Sequence, residues 1–172
     1  MKFTSIDDSI TIDGITITAR IEHDADMGEP WKEHDVHGPV SDWTRRAKLP
    51  GEMVLAESRC GSKRFYGFQE AVKIARRDGW DAPPYGGTPG QKAHRAAMAD
   101  FENLRAWCND EWHWCGVVLS VSVDGITLDN HAASLWGLES DDEDGIIAEA
   151  NELIDEALDV AKAIVGRIKA AI

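Results

Sequence analysis

Ile10-Thr11-Ile12-Asp13-Gly14-Ile15-Thr16-Ile17 and Val121-Ser122-Val123-Asp124-Gly125-Ile126-Thr127-Leu128 decide the fold. In each, apolar and polar residues alternate around Asp-Gly, a pair that tolerates the two positive φ values of a type I′ turn. Each therefore predicts a β-hairpin with one apolar face. The likeness of the two copies suggests an internal repeat. The residues that follow them diverge, however, and two copies fall short of a repeat array, so shared hairpin chemistry is the better account.

Working outward, Met53-Val54-Leu55-Ala56 and Lys63-Arg64-Phe65-Tyr66 form a further strand pair across a turn at Arg59-Cys60-Gly61-Ser62. Phe68, Ala71, Val72 and Ala75 then fall at helical spacing, with Gly79 placed to end the helix. Residues 81–90, rich in Pro and Gly, read as an exposed loop. Thr88-Pro89-Gly90-Gln91 is a capping box with Pro at the first helical position. The stripe Ala93, Ala97, Phe101, Leu104, Cys108 carries that helix over about 90–112. Ser140-Asp141-Asp142-Glu143 opens a last amphipathic helix over 141–171. Its length of about 42 Å, at 1.5 Å per residue, leaves two uses for the apolar stripe, packing on the sheet or against a second copy of the chain. The expected architecture is α+β in one domain, residues 1–172: antiparallel hairpins form a sheet covered by two or three helices, the last one long.

A chain of 172 residues with 43% apolar content can bury one full core. It has no apolar run able to cross a bilayer and no apolar leader at Met1-Lys2-Phe3, so a cytosolic protein without membrane partners is expected. Three cysteines fit reduced thiols better than a disulfide framework, with Cys108 and Cys115 packed away. The net charge of −13 is unevenly laid out: residues 1–44 carry −7, residues 45–97 carry +6 and residues 98–172 carry −12. Overall acidity argues against wrapping duplex nucleic acid, which needs clustered cations. The acidic flanks suit a partner with a basic surface, although acidity also serves solubility alone.

Three stretches hold candidate chemistry. Residues 22–37 combine His23, Asp24, His34 and His37, donors suited to a divalent metal, though their spacing matches no standard zinc or calcium motif. A solvated polar loop with a local hydrogen-bond network is the favoured account of them. Trp107 to Cys115 packs three tryptophans, two cysteines and a histidine into nine residues. A helix end burying its aromatics explains this better than a zinc finger, with Trp112 or Trp114 left as a surface anchor. Arg45 and Arg46, with Lys63-Arg64, Arg76-Arg77 and the neighbouring Trp43, could form an anion pocket or contact single-stranded nucleic acid; pairing with nearby carboxylates is the plainer alternative. No P-loop, dinucleotide fingerprint, Gly-x-Ser-x-Gly elbow, kinase or deaminase signature is present.

Asp26-Met27-Gly28-Glu29-Pro30-Trp31-Lys32-Glu33-His34-Asp35, Gly38-Pro39-Val40-Ser41-Asp42-Trp43-Thr44-Arg45-Arg46, Glu70 to Trp80, Leu104 to Trp112 and Ser134 to Ser140 resemble a family of small proteins encoded by tailed bacteriophages and prophages. That family has no assigned activity, so the resemblance implies context and no catalytic residue: a non-virion protein acting in the host cytoplasm. By analogy with phage proteins that inhibit host machinery, anti-restriction or anti-CRISPR proteins among them, we expect an acidic interaction protein that binds and modulates a host factor. Trp31, His34, Asp35, His37, Trp43, Arg45, Arg46 and Trp112 are its candidate binding residues. The alternative is a metal-dependent enzyme, acting on phosphoesters, built on His23, Asp24, His34 and His37. No other cofactor is expected, and the last helix is the candidate homodimer surface.

Overall fold

Asp13 and Gly14 adopt φ values of 52° and 79°, and Asp124 and Gly125 values of 49° and 78°, so both Asp-Gly pairs form the tight turns their sequences require. In this computed structural model, which describes residues 1–171, the first turn joins β1 (Ser9–Ile12) to β2 (Ile15–His23). The second joins β5 (Trp114–Val123) to β6 (Ile126–Glu139). The protein is α+β. Contacts gather the chain, read above as one domain, into two compact units: Met1–Met27 with the chain from His113, and Gly28–Trp112.

The first unit is built on a four-stranded antiparallel sheet of order β1-β2-β5-β6. β2 and β5 pair from Ile15↔Val123 to His23↔Cys115, which sets the two hairpins side by side with both turns at one end. Ile15, Ile17, Ala19, Val117, Leu119 and Val121 share the buried face. On the other face hydroxyls pair across strands, Ser9 with Thr18 at 2.8 Å and Thr11 with Thr16 at 3.2 Å. β6 runs to Glu139, eleven residues past Leu128, where the hairpin pattern of the sequence ends. Register shifts between Leu119 and Val121 break the two-residue alternation there, so the period that marks a strand is lost although pairing continues.

The helix expected over 141–171 is two helices, α4 (Glu143–Glu152) and α5 (Ile154–Ala170), meeting at Leu153. Leu153 keeps αR geometry, its N–H donates to Glu149 O and its carbonyl accepts from Ala157 N, so helical hydrogen bonding continues through the junction. Ile146 and Ala150 of α4, and Ile154, Ala157, Leu158 and Ala161 of α5, all pack into the core on the sheet. Asp142 is the N-cap, accepting from Gly145 N at 3.0 Å, two residues later than the Ser140 box implied. Phe3 is buried in the same core, its N–H donating to Asn151 Oδ1 and its carbonyl accepting from Asn151 Nδ2.

The second unit holds a two-stranded sheet, β3 (Met53–Glu57) against β4 (Lys63–Tyr66), with a bulge between Val54 and Ala56. Bridges Val40↔Tyr66 and Thr44↔Lys63 lay residues 40–44 along the other side of β4. Residues 22–46 are therefore partly regular: strand to His23, one helical turn α1 (Pro30–Glu33), then this short pairing. α2 (Phe68–Asp78) ends on Gly79 at φ 73°. α3 (Pro89–Cys108) starts from the complete Thr88–Gln91 capping box, as its sequence requires. α3 stops four residues before the expected 112 because Asp110 turns into the left-handed region, φ 58°, after the Asn109 cap. Leu55, Tyr66, Ala71, Ala97, Phe101 and Leu104 form this unit's core. Arg95 ties down the 81–90 loop, donating to Ala82 O, Asp81 Oδ1 and Gly86 O.

Candidate functional site

In β4, Arg64 is only 7% exposed. Its guanidinium lies 5.0 Å from the Trp31 ring of α1 and 4.9 Å from the Trp43 ring of the 40–44 segment, and it forms an ion pair with Glu29. A planar guanidinium can lie over indole rings while an edge N–H meets a carboxylate, a combination an ammonium cannot reproduce. Burial works against the charged Glu29 carboxylate, but hydrogen bonds from Lys32 and Arg64 outweigh it and hold its pKa below the usual range. Trp107 of α3 meets Trp31 edge-on at 5.5 Å. Trp43 is 47% exposed, so one indole of this stack is presented to solvent.

On the same unit, Asp100 of α3 gathers three donors. Its Oδ1 is 2.7 Å from His37 Nδ1, and its Oδ2 accepts from Gly38 N at 2.8 Å and from the Tyr66 hydroxyl at 2.6 Å. A Cβ at residue 38 would sit 2.5 Å from the Tyr66 hydroxyl oxygen, so glycine is needed for the loop to come this close. Burial, then the hydrogen bond to Asp100 and its charge, push the Tyr66 phenol well above its ordinary range. A carboxylate-bound imidazole can move protons; here the same bonds also fasten residues 37 and 38 to α3.

The candidate residues fall in different settings. His34 ends α1, its N–H donating to Pro30 O, and both His34 and Asp35 are exposed. Arg46 chelates Glu52 through two bonds of 2.7 and 2.6 Å and lies 4.5 Å from the Phe65 ring. Arg45 lies against Cys60. Trp112 and Trp114 are both buried, at 1% and 4% exposure, so neither serves as the surface anchor expected of that stretch. The Trp112 indole N–H donates inward to Asn103 O. His23 and Asp24 belong to the first unit and His34 and His37 to the second. Among the described residues no group of three or more His, Cys, Asp or Glu is arranged to hold a metal ion. The basic middle is largely paired with carboxylates of its own unit: Lys63 with Glu57, Arg77 with Asp78, Lys92 and Arg95 with Asp81.

In the first unit, the strand ends opposite the Asp-Gly turns bring together His23, Asp24, Asp26, Met27 and Trp136 around an open cleft of about 490 Å³. His23 and His113 stack with ring centroids 5.2 Å apart, and the Ser140 hydroxyl lies 3.3 Å from His113 Nδ1. Burial, and then the charges of Asp24 and Asp141, push the nearby Cys115 thiol up.

Arg64 entered the sequence reading only as one of several basic residues, and Glu29, Asp100, Trp136 and Cys60 were not singled out; all but Cys60 acquire their setting from distant segments. Cys60 alone carried a local signal: Ser58-x-Cys60-x-Ser62 around a glycine turn gives it two hydroxyl neighbours, which with Arg45 lower its pKa to about 7. Comparison with protein-family models, with curated proteins and with solved structures yields no match.

Proposed function

We propose that the protein is a phage-encoded acidic interaction protein that binds a basic surface on a host cytoplasmic factor, of the kind used to blunt host defence. The segregation of its charge carries this reading. Residues 28–112 hold 13 basic and 13 acidic side chains, whereas the first unit holds 5 and 18, so the whole net charge of −13 resides there. From Asp141 to Asp159 there are nine carboxylates and no Lys or Arg, and among the described residues none of the nine forms an ion pair. Carboxylates without ion-pair partners on a helical layer produce a negative field that steers a cationic partner. The phage resemblance supplies the setting, and no described helix is long and apolar enough to cross a membrane.

The test is affinity capture from host lysate with the wild-type chain and with Glu152→Gln, Asp155→Asn, Glu156→Gln, Asp159→Asn combined. The reading expects a defined basic protein retained by the wild type and lost from the variant as salt rises. Retention that ignores the substitutions, or none at all, overturns it. A homodimer through the end of α5, where Ile168 stays 49% exposed, is the other partner to look for, by sedimentation at two concentrations.

A further inference from the structure

The cleft at the strand ends of the first unit is distinct from the α4–α5 carboxylates and has the chemistry of a pocket for one cationic side chain. Its wall is Trp136, 41% exposed. Trp136 sits opposite Gly116 in the β5–β6 ladder, and a Cβ at residue 116 would lie 2.4 Å from Trp136 Cε3, so the glycine lets the indole rest against the backbone. The indole N–H donates to Ser134 Oγ at 3.2 Å. The ring is thus held in place from beneath and at its edge.

Asp24 lines the same cleft and is 9% exposed. Oδ1 accepts from Asp26 N at 3.1 Å and Oδ2 from Gly137 N at 3.2 Å, but among the described residues no cation pairs with this carboxylate. A buried carboxylate left without a counter-charge is costly. Asp26 adds a second, exposed carboxylate at the mouth. An aromatic face beside carboxylates is the arrangement that attracts guanidinium or ammonium groups.

We propose that this cleft receives an arginine or lysine side chain presented by a protein partner, stacked on Trp136 and paired with Asp24 and Asp26. The proposal rests on the reading of a basic partner and gives it a specific anchor point. The rest of the acidic surface then steers and this pocket holds.

Two capped pentapeptides, glycine at every position except a central arginine or its uncharged analogue citrulline, are titrated into the full-length chain by NMR. The arginine peptide is expected to shift the Trp136 indole N–H and the Gly137 amide. Asp26→Asn and Trp136→Leu should each weaken that binding by about fivefold or more. Asp26 is exposed, so its variant keeps the fold, and amide spectra confirm this for both. Equal binding of the citrulline peptide, or no shift at residues 136 and 137 up to about 10 mM, a limit weaker than any useful contact, overturns the pocket. Loss of arginine binding only in the four-residue α4–α5 variant overturns it too. Host capture that depends on the α4–α5 carboxylates while the peptides fail leaves the interaction reading standing without this pocket. Peptide binding without host capture does the reverse.

Discussion

Asp100 Oδ1 lies 2.7 Å from His37 Nδ1, joining residues 63 apart in sequence through two side chains that are each about nine-tenths buried. The same carboxylate takes the Gly38 N–H and the Tyr66 hydroxyl. Asp100→Ala therefore strands three donors, and a stranded buried donor costs about 1–3 kcal/mol. We expect a loss of about 3 kcal/mol in urea unfolding; a loss under about 1 kcal/mol would show that water replaces the carboxylate.

Tyr66 gives a pH dependence with a definite sign. Its pKa is raised in the fold, so the folded chain keeps a proton that the unfolded chain releases above its ordinary value of 10.0. Stability from this group is complete below that value and falls as pH rises past it. Tyr66→Phe should be less stable at pH 7, having lost a bond to Asp100, yet flatter in stability above pH 10. Equal slopes for the two proteins would count against this. Tyr85, which is exposed, supplies the control substitution.

Arg64 between Trp31 and Trp43 predicts that Arg64→Lys is not conservative. The charge survives, but the planar group lying over two indoles while pairing with Glu29 is lost, at a cost of about 1–2 kcal/mol. Near-ultraviolet circular dichroism should weaken as the indoles lose their fixed partner. An unchanged spectrum and midpoint would mean the stack holds nothing in place.

The three thiols should separate by reactivity. Cys60, exposed and lowered to about 7, becomes thiolate near neutral pH, whereas burial pushes Cys108 up to about 11 and also raises Cys115. At pH 7.5 iodoacetamide should modify one site, found by mass spectrometry at Cys60, with a rate that rises through pH 7. Ser58→Ala and Ser62→Ala should move that rise toward the ordinary value of 9.0.

Local chemistry was legible in the chain. The two Asp-Gly turns, the Thr88 box, the Gly79 stop and the strand pair around Gly61 depend on residues within a few positions of one another, and each formed where its sequence placed it. The far half of β6 and the helix junction at Leu153 were not legible, because a bulge erases the strand period and a junction residue with αR geometry leaves no residue signature. Of the site residues, Trp31 and Trp43 were picked out by composition, but their shared partner Arg64 was visible only after the 40–44 segment paired with β4.

The amino-acid sequence by itself determined the turns, the caps, the amphipathic faces and the total charge, all properties of neighbours along the chain. Only the tertiary structure decided which residues meet: His37 with Asp100, Arg64 with its two indoles, Trp136 with Gly116. It also decided that a neutral 85-residue unit is inserted between β2 and β5, leaving the whole of the net charge on the other unit. The physical reason is that contacts between distant segments follow from burying apolar surface as a whole, which no short window of sequence records.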